Sequence, residues 1–134
     1  MTRTQGISHI GIAVSDLELA IKNYSSLLGC EKVKRIEVPS EHVKIAMIEL
    51  GDSEIELLSP TGQSGAIAKF IRERGEGIHH IAVRVQDVSE AIFNAKKQGL
   101  RVIDEAPRKG AEGTEAAFVH PKSLHGVLLE FYAR

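Results

Sequence analysis

Hydrophobic and polar positions follow the same pattern in two successive parts of the chain. Each part opens with a largely apolar, β-branched run, at 10–14 in the first and at 81–85 in the second. Runs of this kind are typical of strands that are buried on both faces. Apolar residues at helical spacing follow in each part, which predicts an amphipathic helix after each strand.

The repeat extends to individual residues. The segments 7–29 and 78–99 align without a gap over the strand and the start of the helix. The identical aligned pairs include Ile7 and Ile78, His9 and His80, Asp16 and Asp87, Ala20 and Ala91, and Ile21 and Ile92. The aspartates stand where a helix N-cap is expected. Gly29 and Gly99 stand where the helices should end, because glycine readily adopts the left-handed conformation of that position.

Strand-like segments follow each predicted helix. We place them at 30–38, 43–50 and 54–58 in the first part and at 101–104, 116–120 and 127–132 in the second. An amphipathic stretch at 64–74 predicts a linker helix between the parts. The chain therefore reads as one α+β domain, 1–134, with two βαβββ modules in tandem, at about 5–60 and 77–134, and the linker helix at about 64–75. We expect their sheets to curve around a shared metal-binding cleft.

Composition narrows the possible functions. The 134 residues are 43% hydrophobic and carry a formal net charge of −1, which does not favour a nucleic-acid or membrane surface. No apolar run approaches the ~20 residues that span a bilayer. Cys30 is the only cysteine, so a disulfide framework is excluded. The first residues lack the apolar core of a secretory signal, and we expect a cytoplasmic protein.

Four residues at matched positions form a candidate metal site. His9 and His80 lie on the first strand of each module, and Glu56 and Glu130 lie on the last. Imidazole suits zinc, cobalt and nickel, and carboxylate suits harder ions such as manganese. Two carboxylates also neutralise a divalent cation. The pattern therefore predicts one divalent ion, with Co, Mn, Zn and Ni as candidates.

Ordinary structural roles compete with this interpretation. A single strand histidine is more often a satisfied, partly buried residue than a ligand. His79 is the obvious rival of His80, but it matches Ser8 in the repeat. Other histidines without a repeat partner are His42, His120 and His125.

At these residues the sequence resembles the vicinal oxygen chelate superfamily of glyoxalases, bleomycin resistance proteins and dioxygenases. Within it the sequence is similar to the methylmalonyl-CoA epimerases. The segments that carry the similarity are ELLSP (56–60), AIAKFI (66–71), RGEGIHHIAVRV (74–85), IDEAPRKGA (103–111) and FVHPKS (118–123).

The resemblance implies a metal-dependent epimerase that interconverts (R)- and (S)-methylmalonyl-CoA. The α-proton would be abstracted to give an enolate that the metal stabilises as a Lewis acid. The ligand set would be His9, Glu56, His80 and Glu130. Glu41 would be the first acid/base group. Because epimerisation needs proton transfer on two faces, Glu130 or a metal-bound water would be the second.

The resemblance also suggests where coenzyme A and a partner subunit bind. Arg108, Lys109 and Lys122 lie in epimerase-like segments and would meet the coenzyme A phosphates. A homodimer is expected, because related proteins commonly dimerise. The sequence departs from the family pattern where glycine is usual, at His42 before Val43 and at His125.

Three other functions remain open within the superfamily. Glyoxalase I would share the four ligands, but the chain is poor in aromatic residues and carries epimerase-like segments. A resistance protein that only binds a small molecule would typically lack the ligands. A dioxygenase generally uses two histidines and one glutamate, so Glu56 argues against it.

Overall fold

The computed structural model describes residues 1–110 and 113–134; Ala111, the last residue of the epimerase-like segment 103–111, lies outside this range. The described part contains eight strands and three helices, which confirms the α+β prediction. They are β1 (Thr4–Ala13), α1 (Leu17–Leu28), β2 (Val33–Val38), β3 (Val43–Leu50), β4 (Ser53–Pro60), α2 (Ala66–Arg74), β5 (Gly77–Val85), α3 (Val88–Lys97), β6 (Arg108–Lys109), β7 (Glu115–Val119) and β8 (Leu129–Ala133).

Contacts divide the chain into two units, His9–His79 and a second unit of Met1–Ser8 with His80–Arg134. The first unit has the strand order β2-β3-β4-β1, and the second has β6-β7-β8-β5. In each unit the first strand of the module runs parallel to its last strand, and the other pairs are antiparallel. The repeat in sequence is therefore a repeat in topology.

Both predicted N-caps are confirmed. The Oδ1 atom of Asp16 accepts a hydrogen bond from the Leu19 N–H, and that of Asp87 accepts one from the Glu90 N–H, each at 3.1 Å. Gly29 ends α1 in the left-handed conformation with φ of 65°. The segment predicted to be helical at 64–74 contains α2.

The strand predicted at 101–104 is wrong. Val102 forms only an isolated bridge with Val119, and the short strand β6 lies further along the chain. The Asp104 carboxylate accepts a hydrogen bond from the backbone N–H of Phe118 at 2.8 Å. The Asp104 side chain thus binds the Phe118 N–H group, which would otherwise pair with the backbone of the predicted strand. The β-ladder therefore ends at this point.

Apolar clusters form the core of each unit. In the first unit α1 covers one sheet face through a cluster that includes Val14, Ile48 and Leu57, and α2 covers the other through a cluster that includes Ala13 and Ile67. In the second unit α3 packs on a cluster of Val85, Val88, Ala91, Ile92 and Ala117. In the described part of the chain, no helix is both long and apolar enough to cross a membrane.

Candidate metal centre

Strand register places His9 beside Glu56 in the first unit. Gly11 is the register partner of Glu56 in the parallel pair of β1 and β4. His9 precedes Gly11 by two residues and therefore projects from the same face of the sheet. The Nε2 atom of His9 lies 3.7 Å from the Oε1 atom of Glu56. His9 is buried, and the Glu56 side chain is 14% exposed.

The second unit repeats this arrangement. Ala82 is the register partner of Glu130 in the parallel pair of β5 and β8, and His80 precedes Ala82 by two residues. The Nε2 atom of His80 lies 3.2 Å from the Oε1 atom of Glu130. Both residues are buried. Each predicted histidine is thus brought to the predicted glutamate of its own unit.

The distances and donor types fit metal ligands. Nitrogen and oxygen ligands lie ~2.1 Å from a divalent ion, so neighbouring ligands of one ion are about 3.0–3.4 Å apart. The second pair falls in that range, and the first is slightly wider. A buried carboxylate needs a positive charge or hydrogen bonds to offset its lost hydration. The small residues Gly11 and Ala82, opposite the glutamates, add no large side chain there.

The other histidines have different surroundings. The ring of His79 packs edge-on against Phe70, with centroids 5.1 Å apart. The Nδ1 atom of His120 accepts a hydrogen bond from the Lys122 backbone N–H at 3.0 Å. Desolvation lowers the pKa of His120, and the charges of Arg101 and Lys122 add to this effect.

Glu41 lies in the connection between β2 and β3. It ends a 3-10 turn, Pro39–Glu41, and is exposed, which differs from the shielded position we expect for a carboxylate base. His42 follows in the left-handed conformation with φ of 56°, so it adopts the backbone geometry that the usual glycine would provide. A Cβ atom on Gly65 would lie 2.9 Å from the Glu41 carbonyl oxygen, so a glycine is needed for this close approach.

The three predicted coenzyme A contacts are exposed, and two of them are already paired. Arg108 forms an ion pair with Asp104, and Lys109 forms one with Glu115. Lys122 lies in a 3-10 turn, Pro121–Ser123, and is not one of the ion-paired cations among the described residues. Of the three residues, Lys122 is therefore the one without an ion-paired carboxylate among the described residues.

Sequence reasoning missed the residues that surround His80. Phe118 packs its ring against the His80 imidazole, and Asp104 binds the Phe118 backbone. Both residues lie in the segments 103–111 and 118–123 that carry the family resemblance. That clustering was the available signal, but the sequence alone does not show which side chains touch.

Comparison with known proteins agrees with this geometry. The family model of the glyoxalase/bleomycin resistance protein/dioxygenase superfamily matches residues 8–118. The mitochondrial methylmalonyl-CoA epimerase of Homo sapiens is 35% identical over 125 residues, covering 92% of this chain and 71% of the relative. An ethylmalonyl-CoA/methylmalonyl-CoA epimerase of Cereibacter sphaeroides is 38% identical over 126 residues, covering 92% and 94%.

A solved structure supports the same relationship. The crystal structure of methylmalonyl-CoA epimerase from Mycobacterium tuberculosis superposes with a TM-score of 0.91 at 33% identity, covering 99% of this chain and 90% of that one. A lactoylglutathione lyase of Neisseria meningitidis is more distant, at 28% identity over 123 residues. The chain therefore belongs to the glyoxalase/bleomycin resistance protein/dioxygenase superfamily and, within it, to the methylmalonyl-CoA epimerase family.

Proposed function

We propose that this protein interconverts the (R) and (S) forms of methylmalonyl-CoA. The observation that carries the proposal is the matched pair of His–Glu sites in a chain from the methylmalonyl-CoA epimerase family. The substrate carries a thioester and a carboxylate on one α-carbon. Its α-proton is acidic enough to be removed when the negative charge that develops on the thioester oxygen is stabilised.

We propose that His9, Glu56, His80 and Glu130 together hold one divalent metal ion, since each His–Glu pair offers one nitrogen and one oxygen ligand. Two neutral imidazoles and two carboxylates suit Co, Mn, Zn or Ni and balance the charge of the ion. When bound, the metal would supply Lewis-acid stabilisation of the substrate's developing negative charge. The residues themselves fix the ligand positions through the register of their strands.

Two carboxylates carry the proton transfers in this proposal. One takes the α-proton, and the electrons of the Cα–H bond move into the thioester carbonyl. A second group, in its acid form, then returns a proton to the opposite face of the same carbon. Glu130 is buried beside His80, and Glu41 lies in the exposed β2–β3 connection. Because Glu41 is exposed, it would need substrate to exclude water from it before acting as an effective base.

The coenzyme A moiety would be held by charge. Arg108, Lys109 and Lys122 remain the candidates for its phosphates. Lys122 is the first candidate, since a phosphate bound there would displace no carboxylate partner among the described residues. Arg108 and Lys109 would have to release or share their carboxylate partners to bind a phosphate.

Hydrogen exchange tests the reaction directly. Incubation with methylmalonyl-CoA in deuterated water should put deuterium on the α-carbon, and metal-stripped protein should lose this exchange until a divalent ion is restored. Full exchange after chelation would reject the metal-dependent mechanism. Turnover of the methylglyoxal–glutathione adduct, with none of methylmalonyl-CoA, would favour glyoxalase chemistry instead.

The role of Glu41 has its own test. The Glu41→Gln variant should slow epimerisation by at least ~100-fold, the lower range for loss of a general acid or base. Glu37→Gln, an exposed glutamate on β2, is the matched control and should be close to wild type. Turnover of Glu41→Gln equal to that of the control would remove Glu41 from the mechanism.

We further propose that residues 1–134 act as one domain, because each unit supplies only two of the four ligands. We also propose a homodimer, which follows from the family resemblance. A cytoplasmic location is proposed because the relatives include a bacterial epimerase, that of Cereibacter sphaeroides. Light scattering on the purified protein measures its mass, and a monomer at micromolar concentration would contradict the dimer.

A further inference from the structure

An aromatic contact fixes one of the ligand imidazoles. The rings of Phe118 and His80 pack edge to face, with centroids 5.7 Å apart and planes at 83°. Phe118 is also the register partner of Glu130 in the antiparallel pair of β7 and β8. Edge-to-face packing favours one ring orientation over others. The Phe118 ring therefore contacts His80, and Phe118 is the cross-strand neighbour of Glu130.

A guanidinium group in turn holds the Phe118 ring. The Cζ atom of Arg108 lies 5.4 Å from the ring centroid. Arg108 is the register partner of Ala116, two residues before Phe118, so the two side chains are diagonal neighbours on one sheet face. A guanidinium over an aromatic face is attracted by the electron-rich ring.

One carboxylate connects the guanidinium to the strand that carries the ring. The Oδ1 atom of Asp104 accepts from the Arg108 Nε–H at 2.5 Å, and Oδ2 accepts from the Phe118 backbone N–H at 2.8 Å. The Asp104 side chain is only 10% exposed. The same carboxylate thus binds the Arg108 guanidinium and the Phe118 backbone. It therefore fixes the position of the guanidinium relative to the strand that carries the ring.

We propose that Asp104, Arg108 and Phe118 form an aromatic brace that orients the His80 imidazole and thereby sets the affinity for the metal ion. The brace rests on the metal site proposed above. Arg108 is a positioning residue in this arrangement, which gives it a role other than coenzyme A binding. Residues that orient a metal ligand are typically worth ~10–100-fold in metal affinity.

Cobalt titration of the apoprotein tests the brace. Phe118→Leu removes the ring and keeps an apolar side chain, and Arg108→Ala removes the guanidinium from an exposed position. We expect the Kd for Co²⁺ to rise ~10-fold in Phe118→Leu and by a smaller factor in Arg108→Ala, with an altered visible absorption spectrum of the bound ion. Phe118→Tyr keeps the ring and should show the wild-type Kd for Co²⁺ and the wild-type absorption spectrum.

Arg35→Ala is the matched control. Arg35 lies on β2, forms an ion pair with Glu18, and its side chain is 53% exposed, against 51% for Arg108. Its register partner is also an alanine, Ala46. Loss of Arg35 should leave the Co²⁺ affinity and spectrum unchanged, so a change in Arg108→Ala alone would be specific to the brace.

Three results would overturn the proposal. Unchanged Co²⁺ affinity and spectrum in both Phe118→Leu and Arg108→Ala would show that the brace does not act on the ligand. A raised KM for methylmalonyl-CoA in Arg108→Ala with unchanged Co²⁺ binding would assign Arg108 to the substrate. Wild-type protein that binds no Co²⁺ but still epimerises methylmalonyl-CoA would remove the metal site and the brace, and would leave the proposed reaction standing.

Discussion

The two His–Glu pairs are built alike in the backbone and supported differently by side chains. In both units the histidine lies two residues before the register partner of the glutamate. The antiparallel neighbour of Glu56 is Met47, however, whereas the neighbour of Glu130 is Phe118. Methionine is flexible and adapts to its surroundings, but an aromatic ring packs in defined geometries.

The repeated modules thus share the placement of the proposed ligands but differ in the side chains that contact them. The atoms of the first pair are 3.7 Å apart, and those of the second are 3.2 Å apart. The closer pair is the one with the aromatic contact. We therefore expect the orientation of the His80 imidazole to be more restricted than that of His9.

Removing either histidine should have the largest effect. We expect His9→Ala and His80→Ala each to lose bound metal and to reduce kcat/KM by more than ~100-fold, which exceeds the usual cost of losing only a supporting residue. Metal content and kcat/KM measured on the same samples check this. If His9→Ala kept both its metal and its activity, only the second pair would be a binding site and the symmetric centre would be wrong.

Replacing each glutamate by glutamine should separate their roles. Glutamine keeps an oxygen ligand but cannot accept a proton as carboxylate does. If Glu130 is an acid/base group as well as a ligand, Glu130→Gln should reduce kcat by ~10²–10⁴-fold even at saturating metal. Glu56→Gln should mainly weaken metal binding, with kcat largely recovered at high metal concentration. Equal losses of kcat in the two variants would argue against a catalytic role for Glu130.

Backbone strain offers a comparison of stability between the units. His42 and His125 are the non-glycine residues with positive φ in the described chain, at 56° and 58°, one in each unit. Substitution by glycine should raise the free energy of unfolding by up to about 1 kcal/mol at each position, because glycine adopts this conformation without a steric penalty. Urea denaturation measures the change, and a lower midpoint in either variant would contradict it.

Gly65→Ala is the opposing control for this experiment. Gly65 has φ of 98°, and its new Cβ atom would meet the Glu41 carbonyl oxygen at 2.9 Å. We expect a loss of roughly 1 kcal/mol or more, since both strain and a close contact act there. The loss should be confined to the first unit if the units respond separately.

The smallest effect should come from the titration of His120. Its pKa is lowered in the folded protein from an ordinary value of 6.5, so the folded state binds this proton less readily than the unfolded state does. The stabilisation is therefore fully present above about pH 6.5 and is lost as the pH falls towards the folded pKa. His120→Asn keeps an acceptor for the Lys122 N–H but does not titrate.

Comparison of unfolding free energies at pH 7.5 and 5.5 checks this effect. Wild-type protein should lose more stability over this interval than His120→Asn does. The same subtraction removes the contributions of the other titrating groups. Equal losses in the two proteins would show that His120 does not contribute to the pH dependence.

The sequence alone was sufficient for features that depend on neighbouring residues and on the repeat. Asp16 and Asp87 cap helices because a short carboxylate reaches the backbone N–H groups of the same turn. His9 and His80 were recognisable because the same strand occurs twice. The repeat predicted one histidine on each first strand and one glutamate on each last strand, but the register that brings each pair together is not encoded locally.

Tertiary structure decided what depends on contacts between distant segments. The side chain of Asp104 takes the Phe118 N–H and so ends a strand that local propensity favours at 101–104. The contacts of Arg108 with Phe118 and of Phe118 with His80 arise because β5, β8, β7 and β6 align with one particular register. Likewise, the close approach of the Glu41 carbonyl oxygen to Gly65 joins residues that are distant in the sequence. The local sequence determines which backbone conformations have a low free energy. The pairing of distant strands then determines which side chains come into contact.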